Sequence, residues 1–119
     1  MGSTNDQSSN GSVEQALIIT ITIGEAKPVV REEVQKLFEL EEELRKAIED
    51  SRVGEYDGNE IGSGTFTMYA YGPSAEKLWA LAMPVLAKYR LPLGSHAMKR
   101  YGKPGAKEER IPLGNGLAN

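Results

Sequence analysis

The stretch VGEYDGNEIGSGTFTMYAYG, residues 53–72, decides the fold. It reads as two strands joined by a glycine-rich turn at Gly62-Ser63-Gly64. The second arm, Thr65 to Tyr71, is rich in β-branched and aromatic residues, which suit a pleated, half-buried surface. A helical pattern flanks this hairpin on each side. A strand pattern lies beyond each helix.

Upstream, the first strand pattern runs from Val13 to Ile23. Leu17, Ile19, Ile21 and Ile23 share one face; Ile18, Thr20 and Thr22 share the other. One face is aliphatic and the other largely threonine, so the strand is expected to be buried on one side only. Gly24 to Pro28 forms the connection. Proline disfavours helix at the residue before it, so the helix is expected at or after Pro28. Val34, Leu37, Leu40, Leu44, Ala47 and Ile48 then recur at spacings of three and four, an amphipathic helix to about Ser51. Glu32–Lys36, Glu41–Arg45 and Glu42–Lys46 are candidate ion pairs one turn apart. Glu41-Glu42-Glu43 reads as a solvated helix face or as a metal or partner patch.

Downstream, Ser74 is placed to cap a second helix with Glu76 in its first turn. Ala75, Leu78, Ala82, Val85, Leu86 and Tyr89 form its buried stripe, with Trp79 partly covered. Pro84 falls inside that pattern and predicts a kink or break. Ser95 to Tyr101 reads as a fourth strand, with His96, Met98 and Arg100 on one face and Ala97, Lys99 and Tyr101 on the other. Glu109 to Leu113 is a possible short edge strand ended by Pro112.

The order is β-α-β-β-α-β, which predicts an α+β domain of ferredoxin-like plan. Its antiparallel sheet has two helices on one face and a possible fifth strand. The domain is expected over residues 15–113, with a disordered polar leader over 1–14 and a frayed tail over 114–119.

Composition bounds the function. The 119 residues suffice for one domain. Hydrophobic residues make up 39% and charged residues 26%, enough for a packed core. The net charge of −3 argues against broad binding to a phosphate backbone. With no cysteine, disulfides, thiolate metal sites and a cysteine nucleophile are excluded. No apolar run approaches the ~20 residues that span a bilayer. No signal-peptide pattern opens the chain, so the cytoplasm is the expected compartment.

The phrases VGEYDGNEIG (53–62), TMYAYGPSAEKLW (67–79) and RYGKPGAKEERI (100–111) are similar to those of small uncharacterised bacterial single-domain proteins of ferredoxin-like fold. The resemblance covers most of the chain after about residue 15. It implies a bacterial, cytoplasmic, single-domain protein and no particular reaction.

Three chemistries are open. Glu55, Asp57, Asn59 and Glu60 form an oxygen-rich cluster. In a regular strand Glu55, Asp57 and Asn59 share a face, and such ligands suit magnesium or calcium. Glu55, Asp57 and Glu60 are therefore candidate metal ligands of a metal-assisted enzyme. Asp57-Gly58 is equally a turn former, which predicts a bend or bulge. Asp57-Gly58-Asn59 also resembles part of an EF-hand loop, but Val53 and Gly64 would fall at its first and last ligand positions and cannot bind. His96 is the lone histidine, and neither a nucleophile elbow nor a phosphate-cradling P-loop occurs.

The sheet face away from the helices carries Thr20, Thr22, Thr65, Thr67, Tyr69 and Tyr71. RNA-binding domains of this topology stack bases on such a face. Here strand one has no aromatic and the chain is acidic, so nucleic acid is not the expected partner. A tyrosine–threonine surface without a catalytic set is better read as a contact patch. The candidate binding residues are Tyr69, Tyr71, Thr20, Thr22, Thr67, Arg100 and Tyr101. They serve a protein partner or self-association, with no cofactor; the alternative is that segment 110–113 covers the two rings. A third reading is a regulatory module binding a small ligand near Gly24–Pro28, by analogy of fold.

Overall fold

The computed structural model describes residues 14–23 and 31–114. The leader over 1–13, the connection over 24–30 and the tail over 115–119 lie outside them. The elements are β1 (Gln15–Thr22), α1 (Arg31–Ser51), β2 (Glu55–Gly62), β3 (Thr65–Gly72), α2 (Ala75–Leu86), β4 (His96–Arg100) and β5 (Glu108–Pro112). They form an α+β domain with one open five-stranded sheet, ordered β2-β3-β1-β4-β5. Every neighbouring pair is antiparallel.

β1 sits at the centre because its alternation serves two surroundings. Leu17, Ile19 and Ile21 are buried on the helix side, with Phe66, Met68 and Ala70 of β3 and Ala97 of β4. Leu40, Leu44 and Ile48 of α1 and Leu78, Ala82, Val85 and Leu86 of α2 complete that core. Both helices cover this one face. Ile18, Thr20 and Thr22 point the other way, where no described helix lies.

Five of the six predicted stripe residues, Ala75, Leu78, Ala82, Val85 and Leu86, are the buried residues of α2, while Tyr89 lies half-buried beyond its end. The Ser74 cap accepts a hydrogen bond from the Lys77 amide, and Trp79 packs partly buried against the core. Helix α2 runs two residues past Pro84 and ends at Leu86. Lys88 and Tyr89 then donate to Val85 and Leu86, three residues back, in a tightened last turn.

Between β2 and β3, Ser63 and Gly64 both take positive φ, 52° and 77°, as a two-residue hairpin turn needs. Within β2 the register shifts between Tyr56 and Gly58, a β-bulge, and Gly58 has a φ of 131°. This reverses part of the sequence reading. The extra residue returns Asn59 to the helix side, so it does not share a face with Glu55 and Asp57.

None of the three expected helix pairs, Glu32–Lys36, Glu41–Arg45 and Glu42–Lys46, is among the ion pairs of the described residues. Arg45 pairs with Glu42 and Glu49, not Glu41. Glu41 is drawn off to β2. Gly114, expected to fray, is tied down: with Leu113, it donates its amide to the Ser95 carbonyl.

Among the described residues no helix is long and apolar enough to cross a membrane.

The start of β2 depends on a close approach. A methyl group on Gly54 would stand 2.3 Å from the Tyr71 carbonyl oxygen and 3.0 Å from Leu78 Cδ2. The nearer atom is backbone and cannot rotate away. Gly54→Ala is expected to destabilise the fold by about 2 kcal/mol, as overpacking does. Chemical denaturation checks this; an unchanged midpoint would show that the strands separate freely there.

Candidate functional site

The pairing registers lay out the open face as rows across five strands. The first row is Glu55, Tyr71, Ala16, Arg100 and Glu108. The second is Gly58, Tyr69, Ile18, Met98 and Arg110. The third is Glu60, Thr67, Thr20, His96 and Pro112. Gly62, Thr65 and Thr22 follow on three strands.

The middle of this face is apolar and aromatic: Ile18 stands between Tyr69 and Met98. Ala16, between Tyr71 and Arg100, is fully buried. Ile18, Tyr69, Tyr71, Met98 and the threonines are half-buried. The two margins carry opposite charge. Glu55 and Glu60 line the β2 margin, with Asp57 exposed in the bulge between them. Arg100 and Arg110 occupy the β4–β5 margin, where Glu108 is the exception.

Several side chains here are already oriented. The Tyr69 hydroxyl donates to Glu60 Oε1 at 2.8 Å. That bond, with smaller help from desolvation, pushes the Tyr69 phenol up from its ordinary value. Arg100 Nε donates to the Gly102 carbonyl at 2.8 Å, which leaves the rest of its guanidinium for other partners. His96 Nδ1 lies 3.0 Å from the Gly94 carbonyl and 3.2 Å from Arg110 Nη2. The carbonyl needs a proton on that nitrogen and the guanidinium needs a lone pair. The two contacts exclude each other.

Six of the seven candidate binding residues share the open face: Thr20, Thr22, Thr67, Tyr69, Tyr71 and Arg100. Tyr101 does not. It follows β4 with odd parity, and its hydroxyl lies on the helix side, 2.6 Å from Glu76 Oε2 and 3.0 Å from Glu109 Oε1. The covering role considered for residues 110–113 also fails. β5 pairs with β4 at the sheet margin, and β1 and β4 separate it from the tyrosines of β3.

The acidic cluster does not converge. Glu55 and Glu60 are two rows apart, one on either side of the bulge. Asn59 Nδ2 turns to the helix side and donates to Glu41 Oε2 at 2.7 Å. Among the described residues no group of three or more carboxylates or histidines is close enough to hold a metal ion.

The helix side carries polar clusters of its own. Glu41 accepts from Tyr56 at 2.5 Å as well as from Asn59. Burial, and then Glu41, push the Tyr56 phenol up. Glu43 accepts from Tyr89 at 2.7 Å and from Lys88 at 2.9 Å. Glu41-Glu42-Glu43 is therefore neither a metal patch nor simply solvated: two of its three members tie α1 to other elements.

The third cluster centres on Lys99, whose side chain is 7% exposed. Its ammonium lies 3.0 Å from each Glu76 oxygen and 3.2 Å from Glu109 Oε1. Burial pulls the Lys99 ammonium down, but Glu76, Glu109 and Tyr101 outweigh it and the net shift is up. Glu76, chiefly through Tyr101 and then Lys99, is held below its ordinary value. Tyr101 is pushed up to about 12, first by Glu76. These shifts move away from neutral pH, the opposite of what general acid–base work needs. The cluster is structural and pins α2 and β5 to β4.

A cavity of about 600 Å³ opens at the far end of β1. Ile21, Ile23, Leu37, Leu40 and Leu91 form its apolar wall, and Lys36 and Arg90 stand among its charged rim.

Sequence reasoning placed Ile18 and Met98 on the open face without counting them in the site. Arg110 was missed because strand parity alone does not say which strand β5 joins. No protein-family model, curated protein or solved structure matches this chain.

The helix-side clusters make stability depend on pH at both ends. Glu43 and Glu76 titrate below their ordinary 4.5 when folded, so their contribution is lost as pH falls below that value. Tyr89 and Tyr101 rise from 10.0 to about 12, and Lys99 rises above 10.5, so their contribution is full below about pH 10 and lost above it. Thermal melts are expected to be flat between about pH 5 and pH 10 and to fall on either side. Tyr101→Phe is expected to make both limbs shallower. Limbs identical to the parent's would remove Tyr101 from the network.

Proposed function

We propose that this chain is a ferredoxin-like domain with a fifth edge strand appended. On this reading it acts as a protein-interaction module through its open sheet face. The observation that carries this is an apolar and aromatic centre, Ile18, Tyr69, Tyr71 and Met98, on a sheet face that no described helix covers. Monomeric domains of one sheet and two helices leave such a face to water or to a partner. Tyrosine and methionine are enriched at protein interfaces, and the margins carry the charge expected of a rim. The resemblance of the sequence phrases adds a bacterial, cytoplasmic setting.

The test is the double substitution Tyr69→Ser with Tyr71→Ser. It removes contact area without opening the core, since both rings lie on the open face. The variant is expected to keep its melting temperature within a few degrees and to lose association, read by sedimentation velocity and by partner capture in the same preparation. Unchanged association and capture would show the face to be inert.

The cavity favours a second reading, a small-ligand regulatory module. Its volume of about 600 Å³ lies within the range of ligand sites, and Lys36, Lys88 and Arg90 outnumber Glu33 and Glu39 on the lining, which suits an amphipathic carboxylate. A panel of medium-chain and aromatic carboxylates is expected to raise the melting temperature of the parent and not of Leu37→Arg. A panel without effect on the parent, or with equal effect on both, rejects this use of the cavity.

A further inference from the structure

The charge layout of the open face says which partner fits it. The β2 margin is acidic through Glu55, Asp57 and Glu60, and the β4–β5 margin is basic through Arg100 and Arg110. A surface with opposite charges on opposite margins is complementary to itself, provided the symmetry brings unlike margins together. Two face-to-face arrangements with a two-fold axis in the interface are available. An axis perpendicular to the strands stacks each strand on its own copy, which sets Glu55 over Glu60 and Arg110 over Arg110. An axis parallel to the strands and over β1 reverses the strand order and keeps the rows, so β2 faces β5, β3 faces β4 and β1 faces β1.

We infer that the occupant of the open face is a second copy of this chain, related by a two-fold axis parallel to β1, with Arg110 of each copy seated over Gly58 of the other. The inference rests on the reading of this face as a contact surface. In this arrangement Ile18 meets Ile18 at the centre. Tyr69 lies over Met98, an aromatic–thioether contact, and Tyr71 lies over the Arg100 guanidinium, a cation–π contact. Gly58 has no side chain, so the bulge leaves room for Arg110, with Glu55 and Glu60 on either side in the neighbouring rows. The only unfavourable facing pair is Glu55 with Glu108, both exposed at the rim.

Sheet twist does not undo the match. Stacked sheets cross at about 30°. Two strands out from the axis, that crossing displaces a residue by roughly 5 Å along the strand, less than the ~7 Å between rows. Either sense of displacement carries Arg110 from Gly58 toward a carboxylate, Glu55 or Glu60. Five strands ~4.8 Å apart and three rows ~7 Å apart span roughly 500 Å² per copy, about 1,000 Å² for the pair. That is below the ~1,200 Å² that marks weak complexes, so association is expected to depend on concentration and salt.

The experiment uses three forms of the full chain: the parent, Arg110→Glu, and Asp57→Arg with Glu60→Arg. All substitutions lie on exposed margins, and circular dichroism and melting establish that each variant is folded. By sedimentation equilibrium, the parent is expected to dimerise and each variant alone to associate at least tenfold more weakly, because the margins that meet now repel. An equimolar mixture of the two variants is expected to recover dimerisation, since each reversed margin then faces its complement. A monomeric parent, variants that dimerise as the parent does, or a mixture that stays monomeric each overturns the inference. Failure here is separable from failure of the contact reading. If the parent associates and the tyrosine variant does not, while the charge variants behave as parent, the face is a contact surface with a different pairing. If the tyrosine variant also behaves as parent, the face itself is inert.

Discussion

The structure depends on the pairing of β1 along both edges. Eight residues of β1 pair with β3 on one side, and five of them pair with β4 on the other. This central position divides the molecule into two surfaces of different chemistry. Every second residue of β1 enters the core under the helices, and the residues between them form the floor of the open face. A one-residue slip would exchange the two sets, placing threonines in the core and Leu17, Ile19 and Ile21 outside. The aliphatic–threonine alternation therefore specifies the register of the sheet, and through it the rows in which Tyr69, Met98, Glu60 and Arg110 are arranged.

The two surfaces also treat polar groups differently. A glutamate paired with a tyrosine hydroxyl from another segment occurs once on the open face, Glu60 with Tyr69, and recurs on the helix side, where it holds the periphery: Glu41 with Tyr56, Glu43 with Tyr89, Glu76 with Tyr101. Two of the helix-side pairs also draw in a lysine, and none of their carboxylates is deeply buried, so each contributes orientation more than net stability. Buried Lys99 is the exception. Its ammonium is compensated by two carboxylates, and removing either would leave a desolvated charge under-paired. On the open face the charged groups sit at the margins and the apolar groups at the centre.

The parts legible from the sequence are those governed by period. The alternation of β1 and β3 and the three-and-four spacing of both helices were readable because burial on one side imposes them locally. So was the Ser74 cap, which needs only a short-range hydrogen bond. What escaped depends on a phase or a partner. The sequence allowed a bulge at Asp57-Gly58, but a regular strand still placed Asn59 beside Glu55. One extra residue moved it to Glu41. Glu41 was expected to pair along its own helix because i,i+4 distances are known from sequence, whereas its contact with Tyr56 requires β2 to lie beneath α1. Tyr101 was counted with Arg100 in the contact patch although strand parity already set the two on opposite faces. Arg110 was unreadable as a site residue because its row depends on the β4–β5 register.

The edges of the sheet disfavour lateral association. An open sheet exposes two unpaired edges, and flat, uncharged edges invite further strands. At β2 the bulge interrupts the ladder, and Glu55, Asp57 and Glu60 add charge. At β5 the strand is only five residues long, Glu108, Glu109 and Arg110 are consecutive charges, and Pro112 lacks an amide to donate. Neither edge is a good template for lateral addition. The features that block the edges are also those that charge the margins of the face: Gly58 both breaks the β2 ladder and leaves space above it, and Arg110 both guards β5 and projects on the open side. One set of residues thus disfavours growth of the sheet in its own plane and would form the rim of the proposed stacked pair.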